Sequence, residues 1–333
     1  MNEIKVIGVI GSGKMGFDLF NYLSDFNFKL VWYTRNEDHK EALKNTFHKK
    51  IKRQLKHGLI SQENFDIRYN YRITNNFNDL SDCDLIIESI IEDAEIKLEL
   101  FKSLDKIVKT SCILASNSSS ILPSLLSQIE QKNRVLGLHF FYPIAFKNVV
   151  ELITSEFTDE ISIEKSRIFL QEIKRFFIEQ DEKSAFILNR LLLELQLVAY
   201  NLLKEFDLGF KQLDEIAKQL VPEFGLFEVM DHVGHNTMYN AIRNYSRMEE
   251  DKKKYDPLLK ELQSRRADSA QKRSHLFYDT EEEQHKISEK TEQEILSKLK
   301  ETAMHYFKLF TDGYQLNPFN MKKALEEYCG IVL

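Results

Sequence analysis

Short apolar runs alternate with helix-spaced apolar positions along the first half of the chain. Val6-Ile7-Gly8-Val9-Ile10 is a β-branched run of strand length, and Phe17, Leu19, Phe20 and Leu23 behind it recur at helical intervals. Phe28 to Tyr33 is a second apolar run. Leu85-Ile86-Ile87-Glu88, Ile113-Leu114-Ala115-Ser116 and Val135-Leu136-Gly137-Leu138 follow, with helical patterns between them. Strands alternating with helices predict right-handed crossovers and a mostly parallel sheet, an α/β domain expected over residues 1–182.

From Ser184 the strand pattern stops. Phe186-Ile187-Leu188 leads into a long apolar helix from Leu191 to Leu203, and helical stretches continue to Tyr245, so residues 183–245 are expected to form a helical domain. Residues 246–333 form a third segment. Charge runs at Glu249 to Lys254 and Glu281 to Glu283 mark 246–293 as a mobile or solvated connection, and helices are expected at 294–311 and 318–328. Leu309 and Ala324 there faintly echo Leu202 and Ala217.

The length of 333 residues fits about two domains. A net charge of −6 argues against a general nucleic-acid binder, so any cationic site has to be local. The start Met1-Asn2-Glu3-Ile4-Lys5 has none of the layout of a signal peptide, and no apolar run is long enough to span a bilayer. Cys83, Cys112 and Cys329 are odd in number and widely spaced, which speaks against disulfides or a metal site and fits a reducing cytoplasm.

Glycine is scarce, yet Gly11, Gly13 and Gly16 fall together between the first strand and the first helix. The turn Gly11-Ser12-Gly13-Lys14-Met15-Gly16 is a GxGxxG in strand–turn–helix context, the dinucleotide fingerprint of a Rossmann-type sheet, where helix N–H groups face a pyrophosphate. Where an acidic residue would grip the adenosine ribose of NAD, the second strand ends in Thr34-Arg35-Asn36. Loss of that carboxylate and gain of a guanidinium point to NADP, with NAD as the alternative and an ordinary exposed arginine as the plainer reading. Between Lys40 and His57 a basic helix carries Lys44, Lys49, Lys50, Lys52, Arg53 and Lys56 with Glu41 as its one acid, a local excess that fits a phosphate partner or simply a solvated face.

Further motifs follow in order. They are Ile87-Glu88-Ser89-Ile90-Ile91-Glu92-Asp93 with Lys97 behind it, Ala115-Ser116-Asn117-Ser118-Ser119-Ser120, His139-Phe140-Phe141-Tyr142-Pro143 and Val150-Glu151-Leu152-Ile153. After them come Asn189-Arg190, Phe224-Gly225-Leu226-Phe227-Glu228 and Asp231-His232-Val233-Gly234. From residue 4 to about 245 the chain resembles the 3-hydroxyacyl-CoA dehydrogenases, with the counterparts of their ASNTSS, HFFNP, VEVI and NR motifs in sequence. The resemblance implies a Rossmann-type domain followed by a helical one that serves substrate binding and dimerisation, an active site in the cleft between them, and a homodimer. It also implies interconversion of 3-hydroxyacyl and 3-oxoacyl thioesters, with short acyl-CoA as the expected substrate.

The same resemblance places a catalytic dyad on His139 and Glu151, substrate and nicotinamide positioning on Ser119 and Asn189, and cofactor contacts on Glu92, Lys97 and Asn117. Chemistry agrees: removing a hydroxyl proton needs a base near neutrality, the ordinary range of imidazole, and a carboxylate behind it orients the ring. Plainer readings stand beside these roles: a helix N-cap for Ser119 within Ser118-Ser119-Ser120, and a helix-surface pair for Glu92 and Lys97. Lys49, Lys50 and Arg53 match an arm that in the family lies over the CoA nucleotide; an acidic acyl-carrier protein is the other partner they fit.

Departures are Thr34 for an acid, Tyr142 for the Asn of HFFNP, Lys183-Ser184-Ala185-Phe186 for SPGF, and the long C-terminal segment. The last 40 residues loosely resemble the start of a second helical module in larger relatives; folded back over 191–245, they would cover the dimer surface. A dehydrogenase-like nucleotide-binding or sensor protein with reduced turnover is the alternative function. A 2-hydroxyacid or sugar-acid reductase would call for a catalytic lysine.

Overall fold

All five apolar runs become strands of one eight-stranded sheet, in the order β3-β2-β1-β4-β5-β6-β7-β8. The strands are β1 (Val6–Ile10), β2 (Lys29–Tyr33), β3 (Tyr71–Thr74), β4 (Leu85–Glu88), β5 (Ile113–Ser116), β6 (Val135–Phe140), β7 (Val149–Thr154) and β8 (Phe176–Asp181) in a computed structural model that describes residues 3–265, 276–279 and 287–333. Every neighbouring pair is parallel except β6 and β7. The three strands that the apolar pattern missed have polar interruptions: Arg72 in β3, Glu151 in β7, and Glu179 with Gln180 in β8.

Helices α1 (Lys14–Leu23), α2 (Glu37–Lys56), α3 (Gln62–Arg68), α4 (Ala94–Asp105), α5 (Pro123–Leu126) and α6 (Glu160–Glu172) complete this unit. Alternation along each strand divides the core between the two faces of the sheet. Leu85 and Ile87 join Phe20 of α1, Phe47 of α2 and Phe169 of α6 on one face. Ile86 joins Phe101 of α4 and Leu126 of α5 on the other. The sheet is therefore doubly wound, and its glycine turn lies at the carboxyl end of β1, where ligands bind in such sheets.

The chain divides into two compact units, Met1–Ala185 and Phe186–Leu333, so the boundary falls just after the expected 182. The second unit comprises α7 (Ile187–Glu205), α8 (Phe210–Ala217), α9 (Leu226–Val233), α10 (His235–Met248), α11 (Asp256–Arg265), α12 (Glu289–Lys308) and α13 (Pro318–Cys329). The expected separation at residue 246 is corrected here, because 246–333 belongs with 186–245 in one unit.

Leu258, Leu262, Ile295, Leu299 and Leu325 of α11, α12 and α13 are fully buried in this unit, and an ion pair adds to their hold. Glu194 on the buried face of α7 needs a countercharge, and Lys254 supplies it at 2.5 Å while also reaching Glu249 at 3.1 Å. Burial alone would pull the Lys254 ammonium down, but Glu194 and the Tyr306 hydroxyl outweigh it and raise its pKa. Only the two ends of the run, Glu249 and Lys254, join this network on α7, while Glu250, Asp251, Lys252 and Lys253 stay exposed; the run Glu281 to Glu283 lies outside the described residues. Helices α12 and α13 both pack against α7.

Candidate active site

At the glycine turn each position is constrained differently. Gly11 has φ +126°, and a Cβ there would lie 2.2 Å from the Ser89 carbonyl oxygen. A Cβ on Gly16 would lie 2.3 Å from the Gly11 oxygen, so α1 can approach the turn only without a side chain. On Gly13 a Cβ would meet nothing within 4 Å, and no side chain caps α1. That uncapped helix start beside open space fits the pyrophosphate of a dinucleotide, which Gly11 to Gly16 would hold. Trp32 supports the turn from below, its indole N–H donating to the Gly11 oxygen at 2.7 Å and its ring stacked on Phe20. Ser12 faces His39 at 3.4 Å, while Lys14 and Met15 open α1.

Past β2, Thr34 is buried and Arg35 exposed, so Arg35 alone of the pair is presented to a ligand. Asn36 caps α2 by accepting from the N–H groups of Asp38 and His39. The first turn of α2 carries Glu37 and Asp38.

A buried polar network joins the ends of β4 and β5. Glu88 accepts from Lys97 at 2.5 Å, from the Ile90 N–H at 2.6 Å and from the Ser116 hydroxyl at 2.8 Å. Glu92 accepts from the Ser118 hydroxyl at 2.5 Å, the Ser120 hydroxyl at 2.8 Å and the Ser119 N–H at 3.1 Å, and lies 3.5 Å from Lys97. Burial by itself would raise the Glu92 pKa, but the Lys97 charge and these donors outweigh it and hold the carboxyl below the ordinary range. For Lys97, burial pulls down and the two carboxylates push up, with a net rise.

Glu92 and Lys97 are not a helix-surface pair, since Lys97 is 1% exposed and spends its ammonium on Glu88 and Glu92. Ser119 is no helix cap, because the cap position of α5 is Leu122. Its backbone N–H is fixed by Glu92, and the residue is partly buried. Asn117 uses its side-chain oxygen to accept from the Phe140 N–H at 2.8 Å, linking β5 to β6.

His139 on β6 stands directly opposite Glu151 on β7, which puts both side chains on one face. His139 Nδ1 lies 2.6 Å from Glu151 Oε2, with His139 5% exposed and Glu151 fully buried. Gln180 on β8 donates to the other carboxylate oxygen at 3.0 Å, and the Phe141 ring packs 4.3 Å from the imidazole. The loop between β6 and β7 is pinned by Arg175, which donates to the Ile144 carbonyl at 2.8 Å and the Lys147 carbonyl at 2.9 Å. Asp18 of α1 accepts from the Ile144 N–H at 2.6 Å. Sequence reasoning missed Gln180 and Arg175, because nothing in their local spacing marks them. Tyr142, the departure from HFFNP, is 58% exposed.

The basic positions of α2 separate. Lys49 and Arg53 are exposed one turn apart, whereas Lys50 lies over the Phe17 ring at 5.6 Å, and burial lowers its pKa against the opposing Asp18 charge. In the helical unit, Asn189 falls in the first turn of α7 and accepts from the Tyr328 hydroxyl at 2.7 Å. Among the described residues no cluster fit to hold a metal ion occurs, and no helix is long and apolar enough to cross a membrane.

Two family models match the chain: the 3-hydroxyacyl-CoA dehydrogenase NAD binding domain over residues 6–183 and the C-terminal domain of the same family over 186–280. A 3-hydroxybutyryl-CoA dehydrogenase of Mycobacterium tuberculosis is 29% identical over 245 residues, covering 71% of this chain and 85% of that protein. The human mitochondrial hydroxyacyl-coenzyme A dehydrogenase is 27% identical over 263 residues, covering 76% and 84%. The solved structure of FadB2 from M. tuberculosis is similar with a TM-score of 0.72 at 26% identity, over 83% of this chain and 99% of that one.

Proposed function

The chain belongs to the 3-hydroxyacyl-CoA dehydrogenase family of nicotinamide-dependent oxidoreductases, and from that premise we propose that it interconverts 3-hydroxyacyl and 3-oxoacyl thioesters of short acyl-CoA through a His139–Glu151 dyad. The observation that carries this reading is the 2.6 Å contact between His139 Nδ1 and Glu151 Oε2, with Gln180 occupying the other carboxylate oxygen.

A bound nicotinamide supplies the hydride acceptor in oxidation and the donor in reduction. His139 uses Nε2 to take the proton of the C3 hydroxyl, and returns it to the C3 oxygen in the reverse direction. Glu151 holds Nδ1 protonated and balances the charge of the imidazolium, which is buried and would otherwise be costly. Gln180 fixes the carboxylate plane, so Oε2 stays aimed at the ring. Ser119 and Asn189 supply neutral donors to substrate oxygen that do not titrate near neutrality. Lys49 and Arg53 form a cationic face for the phosphates of CoA or for the acidic surface of an acyl-carrier protein.

NADP is the proposed cofactor, because Arg35 is exposed where the ribose carboxylate of NAD sites is absent. NAD is the second reading, favoured by the carboxylates of Glu37 and Asp38 just beyond.

The test follows absorbance of NADH and NADPH separately with acetoacetyl-CoA. The wild type is expected to turn over, and His139→Gln to lose at least about 100-fold in kcat with cofactor affinity nearly unchanged. A folded His139→Gln protein that keeps more than about a tenth of the wild-type rate refutes the dyad.

A further inference from the structure

The first turn of α7 carries Asn189 and Arg190, and both are held by segments that follow residue 245. Arg190 lies 3.6 Å from Glu249 and over the Tyr314 ring at 5.9 Å. Asn189 Oδ1 accepts from the hydroxyl of Tyr328, a residue 139 positions away on α13 and beyond the last position that the family models match.

We propose that Tyr328 is a positioning residue for the reaction, holding the Asn189 carboxamide so that its amino group serves as the donor to substrate oxygen. The proposal rests on the reading that Asn189 donates to the substrate.

A carboxamide has one end that accepts and one that donates, and the two ends are nearly identical in shape. Only hydrogen bonding decides which end faces a ligand. A phenol donating to Oδ1 assigns that end to the protein and leaves the Nδ2 hydrogens as the function offered to an oxygen ligand. The same bond polarises the amide and strengthens its N–H donors, the usual cooperativity of a hydrogen-bonded chain.

Tyr328 is well placed to hold this geometry. It is 8% exposed, its ring stands edge-on to Phe224, and its neighbours Leu325, Cys329 and Ile331 are fully buried. Asn317 caps the start of α13, and Gly330 ends it at φ +73°, with Pro222 so close that a Cβ on Gly330 would lie 2.8 Å from its Cγ. The end of α13 therefore has little room to shift the phenol.

The experiment is a mutant cycle read as kcat and KM for acetoacetyl-CoA and the reduced cofactor. Asn189→Ala is expected to lower kcat by about 100-fold, as loss of a donor to developing charge does. Tyr328→Phe, which removes one oxygen, is expected to lower kcat about tenfold with the cofactor KM unchanged. In the Asn189→Ala background Tyr328→Phe should have no further effect. Gly330→Ala is a second perturbation of the same phenol, and it too should lower kcat only when Asn189 is present.

A Tyr328→Phe protein with wild-type kcat beside an impaired Asn189→Ala protein overturns the proposal and leaves the role of Asn189 intact. So does an equal loss in both backgrounds, which would mark the hydroxyl as merely structural. Wild-type kcat in Asn189→Ala overturns the reading of Asn189 itself, and the positioning role with it.

Discussion

Lys97→Met isolates the buried network beneath the serine motif. Methionine keeps the length and apolar stem of lysine but removes the ammonium that pairs with Glu88 at 2.5 Å and Glu92 at 3.5 Å. Glu88 is fully buried and the Glu92 side chain 14% exposed, so both carboxylates are left in a poorly solvated site. Removing one partner of a buried ion pair costs about 3–5 kcal/mol. For a unit of this size each kcal/mol moves the melting temperature by about 2–4 °C, so a drop of about 6–20 °C is expected at pH 7. The single tryptophan, Trp32, is buried under the glycine turn and reports the α/β unit alone, which makes its fluorescence the assay.

The pH dependence has a definite sign. The Glu92 pKa is depressed in the folded wild type, so its contribution is present above the unfolded carboxylate range and is lost only as pH falls through the lower folded value. Lys97 is raised, so its contribution is present below the unfolded lysine range and is lost only in strong alkali. Between pH 7 and pH 5 the wild type therefore changes little through these groups. In the variant Glu92 loses the Lys97 charge that held its pKa down, so it takes up a proton more readily and escapes part of the burial penalty. The stability gap should be smaller at pH 5 than at pH 7. A loss under about 1 kcal/mol at pH 7, or a gap equal at both pH values, refutes the assigned role.

Gly13→Ala should leave the melting temperature of the free protein nearly unchanged and weaken cofactor binding, whereas Gly16→Ala, whose Cβ meets the Gly11 oxygen, should lower both; equal behaviour of the two in melting and fluorescence titration would contradict the turn geometry. Thr34→Asp combined with Arg35→Ala should move preference from NADPH toward NADH by about tenfold or more, the size of a charge-assisted hydrogen bond, and a wild type that already prefers NADH overturns that assignment. Reversing the charges of Lys49 and Arg53 should raise KM for the thioester with little change in kcat, and added salt should mimic it; unaltered kinetics would return this face to simple solvation.

Elements whose signals are local are legible along the chain. Apolar runs at strand length, helix-spaced leucines and three clustered glycines are written in neighbouring residues, because secondary structure and a tight turn are decided over a few positions. The motif resemblance likewise marked His139, Glu151, Ser119 and Asn189 one by one. Tertiary structure decided what these residues touch. His139 meets Glu151 only because β6 and β7 pair antiparallel in a register that sets them opposite, and Gln180 completes the group from a strand too polar to announce itself. Lys97 turns inward because Glu88 is buried, a fact about packing that the spacing of the two residues does not contain. Lys254 reads as one more charge of a solvated run until the buried Glu194 demands its partner, and Tyr328 reaches Asn189 across 139 residues through the packing of α13 on α7. Periodicity records which side of an element is apolar; a buried charge or amide finds its partner only after distant elements have packed, so those partners were legible only in three dimensions.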